Sequence, residues 1–292
     1  MNIENNKLWY FIAIVIVGIW GLTFISTKTL IMHGLTPQEI FVLRFLMAYV
    51  GIWLIAPHKL MADSWKDEFL LLLGGVTGGS LYFLTENTAL EYTYATNVSF
   101  IVCTTPLLTT LLFLWVDKET HASRALWMGS LLALLGVAFV VYNGNFVLKL
   151  SPVGDCLSLS AALLWAFYSL LMKRLFQHYD TNFITRKIFF YGLVTILPAF
   201  LFRPWSFPLH ELLHPVVWSN LLFLGVLASL ICYAVWNVVL KRMGAVRASN
   251  FLYLNPLFTL LGSVMWLDER LTFMAFVGVL CIVSGLYVAA KR

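Results

Sequence analysis

The sequence predicts an all-α polytopic membrane protein in which ten transmembrane helices form two inverted five-helix repeats, residues 1–143 and 152–292. Three observations lead there. Of 292 residues, 61% are hydrophobic and 11% charged, with a mean hydropathy of +0.85, which does not describe a soluble surface. Apolar runs of about 20 residues recur down the chain, the length at which a helix crosses a bilayer with all its backbone hydrogen bonds kept internal. Finally, the chain repeats itself.

Residues 95–119, ATNVSFIVCTTPLLTTLLFLWVDKE, return 150 positions later as residues 245–269, AVRASNFLYLNPLFTLLGSVMWLDE. Ala95/Ala245, Ser99/Ser249, Pro106/Pro256, Thr109/Thr259 and Glu119/Glu269 fall in register. Carried back to Leu71 without a gap, the register holds 13 identities in 49 positions, Gly75/Gly225 and Asn87/Asn237 among them. Leucine bias produces chance leucine matches, but not a shared Gly, Asn and Pro, so the chain reads as a duplicated unit.

Breaks at charged and turn-forming residues place the spans at roughly 8–27, 37–57, 69–90, 95–116, 125–143, 154–174, 183–202, 217–240, 246–267 and 272–290. The N-terminal run has one preceding lysine and no small-residue cleavage site, so it is kept as the first span rather than a signal peptide. Most joints are short, such as EYTY (91–94) and DERL (268–271); only 143–152 and 203–215 are longer. With the N-terminus inside, twelve cations fall on cytoplasmic segments (Lys7, Lys59, Lys66, Lys118, Arg124, Lys173, Arg174, Lys241, Arg242, Arg247, Lys291, Arg292) and four outside (Lys28, Lys149, Arg203, Arg270). This bias puts both termini in the cytoplasm of a bacterial inner membrane. An odd number of spans per copy makes the second copy enter from the opposite side, so the copies are inverted. The net charge of +5 is explained by this orientation, and no nucleic-acid partner is expected. The four cysteines lie in apolar runs without CxxC spacing and imply no disulfide framework and no metal site.

The inverted five-plus-five pattern, the WG and WA openings at Trp20 and Trp165, the AxxxSFxxxxxP-like run ending at Pro106, its partner ending at Pro256, and LDER at 267–270 resemble the EamA family of the drug/metabolite transporter superfamily. The resemblance spans essentially the whole chain. It implies a secondary carrier, often an exporter of amino acids or related metabolites, with a cavity lined mainly by spans one, three, four, six, eight and nine. Small multidrug relatives resemble a single copy with a Glu in the first span. No Glu stands there in this chain, so their proton-exchange residue has no counterpart.

Polar residues inside spans are costly, on the order of 2.5–3.5 kcal/mol for a central charge on insertion scales, and so mark candidate substrate-binding positions. Glu86 is the sharpest, beside Asn87, which is echoed by Asn237. Its readings are a cavity carboxylate that binds a cation or carries a proton, or a structural pair. Asn97, Asn250 and Asn255 are weighed between interhelical hydrogen bonds and cargo contact. Trp20, Tyr82, Trp165, Tyr168, Tyr233, Trp236 and Tyr253 lie on expected cavity spans, where aromatic walls suit flat or cationic organic cargo. The site is therefore expected to draw on Trp20, Tyr82, Glu86, Asn87, Asn97, Trp165, Tyr168, Tyr233, Asn237 and Asn250, with helix kinks at Pro106 and Pro256. Arg44 and its counterparts Arg186 and Lys187 are expected to snorkel or pair with loop acids on peripheral spans. Lys28 and Lys173 end their helices, where a cation suits the helix dipole. The GGVTGG run (74–79) and Gly129, Gly136, Gly278 and Gly285 read as close packing.

One catalytic motif competes. His210-Glu211-Leu212-Leu213-His214 matches the HExxH zinc-peptidase signature, but Pro215 pushes His214 out of α geometry and no third ligand shares the loop. No Walker A, GxGxxG or GxSxG occurs. The reading is a non-enzymatic carrier without cofactor or metal that exports small organic metabolites and contacts lipid, as monomer or homodimer. Its alternatives are a nucleotide-sugar carrier, a drug or cation carrier, a channel and the zinc peptidase.

Overall fold

A computed structural model describes residues 3–56, 59–116, 123–142, 151–267 and 273–290, and all regular structure among them is helical. Helix α1 (Ile3–Met32) is followed by α2 (Pro37–Ile52), which starts with Pro37 in its first turn and Glu39 accepting the Thr36 N–H at 2.8 Å. Ser64 caps α3 (Trp65–Gly75) by accepting from Asp67 N at 3.1 Å. A wide π turn, Val76–Ser80, leads into α4 (Leu81–Tyr92). Then come α5 (Ala95–Val102), α6 (Thr105–Val116) and α7 (Arg124–Tyr142).

The second half runs through α8 (Pro152–Leu175), α9 (Thr181–Ile196), capped by Asp180, and the short α10 (Ala199–Phe202). It continues with α11 (Pro215–Leu222), a π stretch Phe223–Ile231, α12 (Cys232–Met243), α13 (Ala245–Ser249), a 3-10 turn Asn250–Leu254, α14 (Asn255–Leu267) and α15 (Phe273–Ala290). Among the described residues, six segments are long and apolar enough to cross a bilayer: Lys7–Met32, Trp65–Tyr92, Asn97–Val116, Pro152–Leu175, Thr181–Phe202 and Pro215–Met243. The expected contributions of Glu119, of Asp268, Glu269 and Arg270 in LDER, and of residues 143–150 lie outside the described residues.

The interruptions of these helices obey the 150-residue register. The π turn at Val76–Ser80 maps onto residues 226–230, inside the second π stretch. A π turn leaves carbonyls without their usual partners, and the chain fills them from elsewhere. Gly78 O accepts the Tyr233 hydroxyl at 2.8 Å, and Ala228 O, 150 positions on, accepts Trp20 Nε1 at 3.1 Å. The prolines behave alike. Pro106 and Pro256 have no N–H to give to the carbonyl four residues back. Thr105 Oγ1 donates to Val102 O at 2.6 Å instead, and Cys103 Sγ donates to Leu252 O at 3.2 Å.

Two close helix crossings complete the frame. At Gly129 an added Cβ would lie 2.4 Å from Gly285 O, and at Gly136 it would lie 2.6 Å from Gly278 O. The small-residue stripes of α7 and α15 therefore face each other. Similarly, Gly21 lets α1 touch α14, where Thr259 Oγ1 donates to Gly21 O at 2.8 Å.

Candidate functional site

Between the two sets of interruptions lies a narrow pocket with about 30 Å³ of space open to a water-sized molecule. Its walls come from α1 (Trp20, Thr23, Phe24), α2 (Arg44), α4 (Tyr82, Phe83, Glu86), Val102 and Thr105 beside Pro106, α8 (Trp165), α12 (Tyr233), and Leu252 and Asn255 beside Pro256. The residues whose carbonyls the prolines free, Val102 and Leu252, are thus themselves pocket walls.

The aromatic side is one connected cluster. Trp20 meets Trp165 edge-on at 5.5 Å between ring centroids, Trp165 lies 4.9 Å from Tyr82 and 5.8 Å from Tyr233, and Trp20 packs on Trp236 at 5.1 Å. Such offset and edge contacts are preferred by ring quadrupoles and hold the walls in place. Trp20 and Tyr233 are further tied through the π-turn carbonyls.

Two charged residues interrupt this apolar wall. Glu86 is 7% exposed and accepts the Tyr82 hydroxyl at 2.8 Å. Arg44 is 2% exposed, donates through Nε to Ser229 Oγ at 2.8 Å, and lies over the Phe83 ring with Cζ 4.3 Å from its centroid. The two residues interact electrostatically across the pocket but form no ion pair among the described residues. Two polar atoms on the lining, Trp165 Nε1 and Asn255 Oδ1, are buried without a hydrogen-bond partner. The arrangement sets a buried carboxyl group, a buried guanidinium and flat aromatic walls around one pocket.

Of the ten expected binding residues, Trp20, Tyr82, Glu86, Trp165 and Tyr233 meet at this pocket. The other five are placed elsewhere. Asn87 Nδ2 donates to Pro37 O at 3.3 Å, and Asn97 Nδ2 to Thr93 Oγ1 at 3.1 Å. Tyr168 donates to Asn237 Oδ1 at 2.5 Å and Asn237 donates to Thr185 Oγ1 at 2.8 Å, behind the aromatic cluster. Asn250 is buried in its 3-10 turn. Sequence reasoning assigned Arg44 to the periphery and left out Thr23, Phe24, Phe83, Val102, Thr105 and Leu252. An arginine set in an otherwise apolar span was the signal that pointed at Arg44.

The HExxH residues are not arranged as a zinc pair. Leu209–Leu213 is a 3-10 turn, and His214 leaves it with ψ at 128°, so the two imidazoles do not share an α-helical face. Among the described residues no group of three His, Cys, Asp or Glu is placed to hold a metal ion. Lys28 turns from the pocket to the end of α4, donating to Leu90 O at 2.5 Å.

Fold and site together define an all-helical, multi-pass membrane protein with an aromatic-walled pocket that also holds Glu86 and Arg44. The sequence model of the EamA-like transporter family matches residues 7–142 and again 152–290. The chain belongs to that family, and is a transporter rather than an enzyme. It is 28% identical over 296 residues to an uncharacterized transporter of Archaeoglobus fulgidus, covering 99% of both chains. It is 26% identical to a protein of Escherichia coli named "Probable amino-acid metabolite efflux pump", covering 95% of this chain and 93% of the relative. A Salmonella typhimurium protein of the same name is also 26% identical, covering 95% and 93%. A solved crystal structure superposes with a TM-score of 0.74 at 20% identity, over 99% of this chain and 97% of that one, and shows the same fold.

Proposed function

We propose that the chain exports a small organic metabolite of the amino-acid type across the bacterial inner membrane, by alternating access between two inverted five-helix repeats. The observation that carries this reading is Glu86: a carboxylate buried in an aromatic pocket, beside a buried cation, with a single hydrogen bond from protein among the described residues. It is the group that pairs with a cationic moiety of the cargo or carries a coupling proton. The charged or titratable side chains sharing its pocket are Arg44, Tyr82 and Tyr233.

The ten-span reading is supported by helical segments at each expected position, joined across their π and proline interruptions. Duplication is supported by the recurrence of those interruptions at +150 residues, five spans per copy then make the copies inverted, and the cation bias supports cytoplasmic termini. The efflux names of two relatives favour an exported amino-acid metabolite. A nucleotide sugar fits less well, because its phosphates would need several cations and the pocket has Arg44 alone.

Counterflow uptake of labelled amino acids, amines and sugars into proteoliposomes, with and without a pH gradient, tests this function. Saturable uptake that responds to the gradient in the wild type, and loses that response in Glu86→Gln, is expected. Gradient-driven uptake that survives Glu86→Gln unchanged would remove Glu86 from the mechanism.

A further inference from the structure

Resting on the carrier reading above, we propose that Arg44 is a specificity residue that reads a carboxylate on the cargo. Its Nε is used up on Ser229 Oγ at 2.8 Å, and its Cζ sits over the Phe83 ring, 4.3 Å from the centroid. Both Nη groups are left over. No described residue accepts a hydrogen bond from them or pairs with them. Arg44 is 2% exposed and lies in the pocket wall, so its leftover donors are held by no protein group and are within reach of what enters the pocket.

The other arginines show how this chain treats a guanidinium that serves structure. Arg203 Nη1 donates to both carboxylate oxygens of Glu91, at 2.9 and 3.0 Å. Arg186 Nη2 donates to Lys59 O while its Cζ lies 4.4 Å from the Trp53 centroid. Arg44 alone of the three is packed and oriented with its two terminal nitrogens unserved.

Unserved donors on a buried charge carry a heavy penalty, and a planar fork of N–H groups is matched best by a carboxylate bound through both oxygens. Glu86 does not fill the role, since it takes the Tyr82 hydroxyl and makes no ion pair with Arg44. A cargo carboxylate on Arg44 would leave Glu86 to the cargo's ammonium. The pocket thereby selects zwitterions over simple amines.

The test is uptake into proteoliposomes of three matched compounds, an aromatic or branched α-amino acid, its carboxamide and its decarboxylated amine, by the wild type, Arg44→Lys and Arg44→Gln. The wild type should prefer the acid by about tenfold or more, the discrimination one charged hydrogen-bonded pair supports. Arg44→Gln should take acid and amide alike, with Arg44→Lys in between because a point charge replaces the fork. Equal wild-type handling of acid and amide would overturn the inference even if neither variant folds, as would an acid preference that survives in Arg44→Gln. Uptake blind to the carboxylate defeats this inference alone. Failure of every compound to show saturable uptake would defeat the carrier reading, and this inference with it.

Discussion

Glu86 and Glu68 lie on the same span, at 7% and 6% exposure, yet the protein provides for them very differently. Glu68 pairs with Lys187, accepts the Tyr191 hydroxyl, and accepts Ala62 N at 2.7 Å. Glu86 receives Tyr82 alone. The cations divide the same way. Arg186 and Lys187 donate to the carbonyls of Lys59 and Leu60, while both Nη groups of Arg44 lack a partner among the described residues. Burial of a charge therefore does not distinguish scaffold from site in this molecule. What distinguishes them is whether the protein completes the charge's hydrogen bonds itself, because an incomplete set is stabilised only by something that arrives.

The widest separation should appear in stability. Glu68→Gln leaves the Lys187 ammonium buried without its carboxylate, which costs about 3 kcal/mol. Glu86→Gln breaks no ion pair and removes an underserved charge, so a change below about 1 kcal/mol is expected. Thermal melting of the two variants in detergent compares them, and equal losses would break the distinction. Next in size is Gly129→Leu, whose Cβ collides with the Gly285 carbonyl at 2.4 Å and should cost about 1–3 kcal/mol by overpacking the α7–α15 seam. A neutral melting point there would mean that the seam can open.

Smaller again is Thr105→Val. It strips the hydroxyl that serves the carbonyl freed by Pro106, at about 1 kcal/mol, and a melting curve identical to wild type would show the carbonyl finding another donor. The smallest effect belongs to Trp165→Phe. That substitution keeps the aromatic wall and deletes the partnerless Nε1, so cargo KM should rise less than tenfold while the melting point barely moves. A large loss of stability would instead assign Trp165 to the scaffold.

Much of this was readable in advance, and the limits have physical causes. Hydropathy pointed to the apolar helices, because lipid demands long apolar helical runs, and the 150-residue register links the π turns and prolines that interrupt them. Glu86, Trp20 and Trp165 stood out as polar or aromatic residues on central spans. Asn87 did not join Glu86 at the pocket because neighbouring helical residues point about 100° apart, and it reaches α2 instead. The π turns moved the facing of residues after them, a shift that no periodicity in the run LYFLTENTAL reveals. Arg44 was obscured because it was grouped with Arg186 and Lys187, whose partners make an ordinary structural cluster.

The most direct test is the rise in melting temperature on adding a compound transported in counterflow, measured for wild type, Glu86→Gln and Glu68→Gln. Binding to the folded state raises stability with the logarithm of ligand concentration over Kd. The account predicts that Glu68→Gln melts well below wild type yet keeps its cargo-induced rise, whereas Glu86→Gln melts near wild type and loses most of the rise. A full cargo-induced rise in Glu86→Gln would contradict the assignment of this pocket's carboxylate to cargo binding.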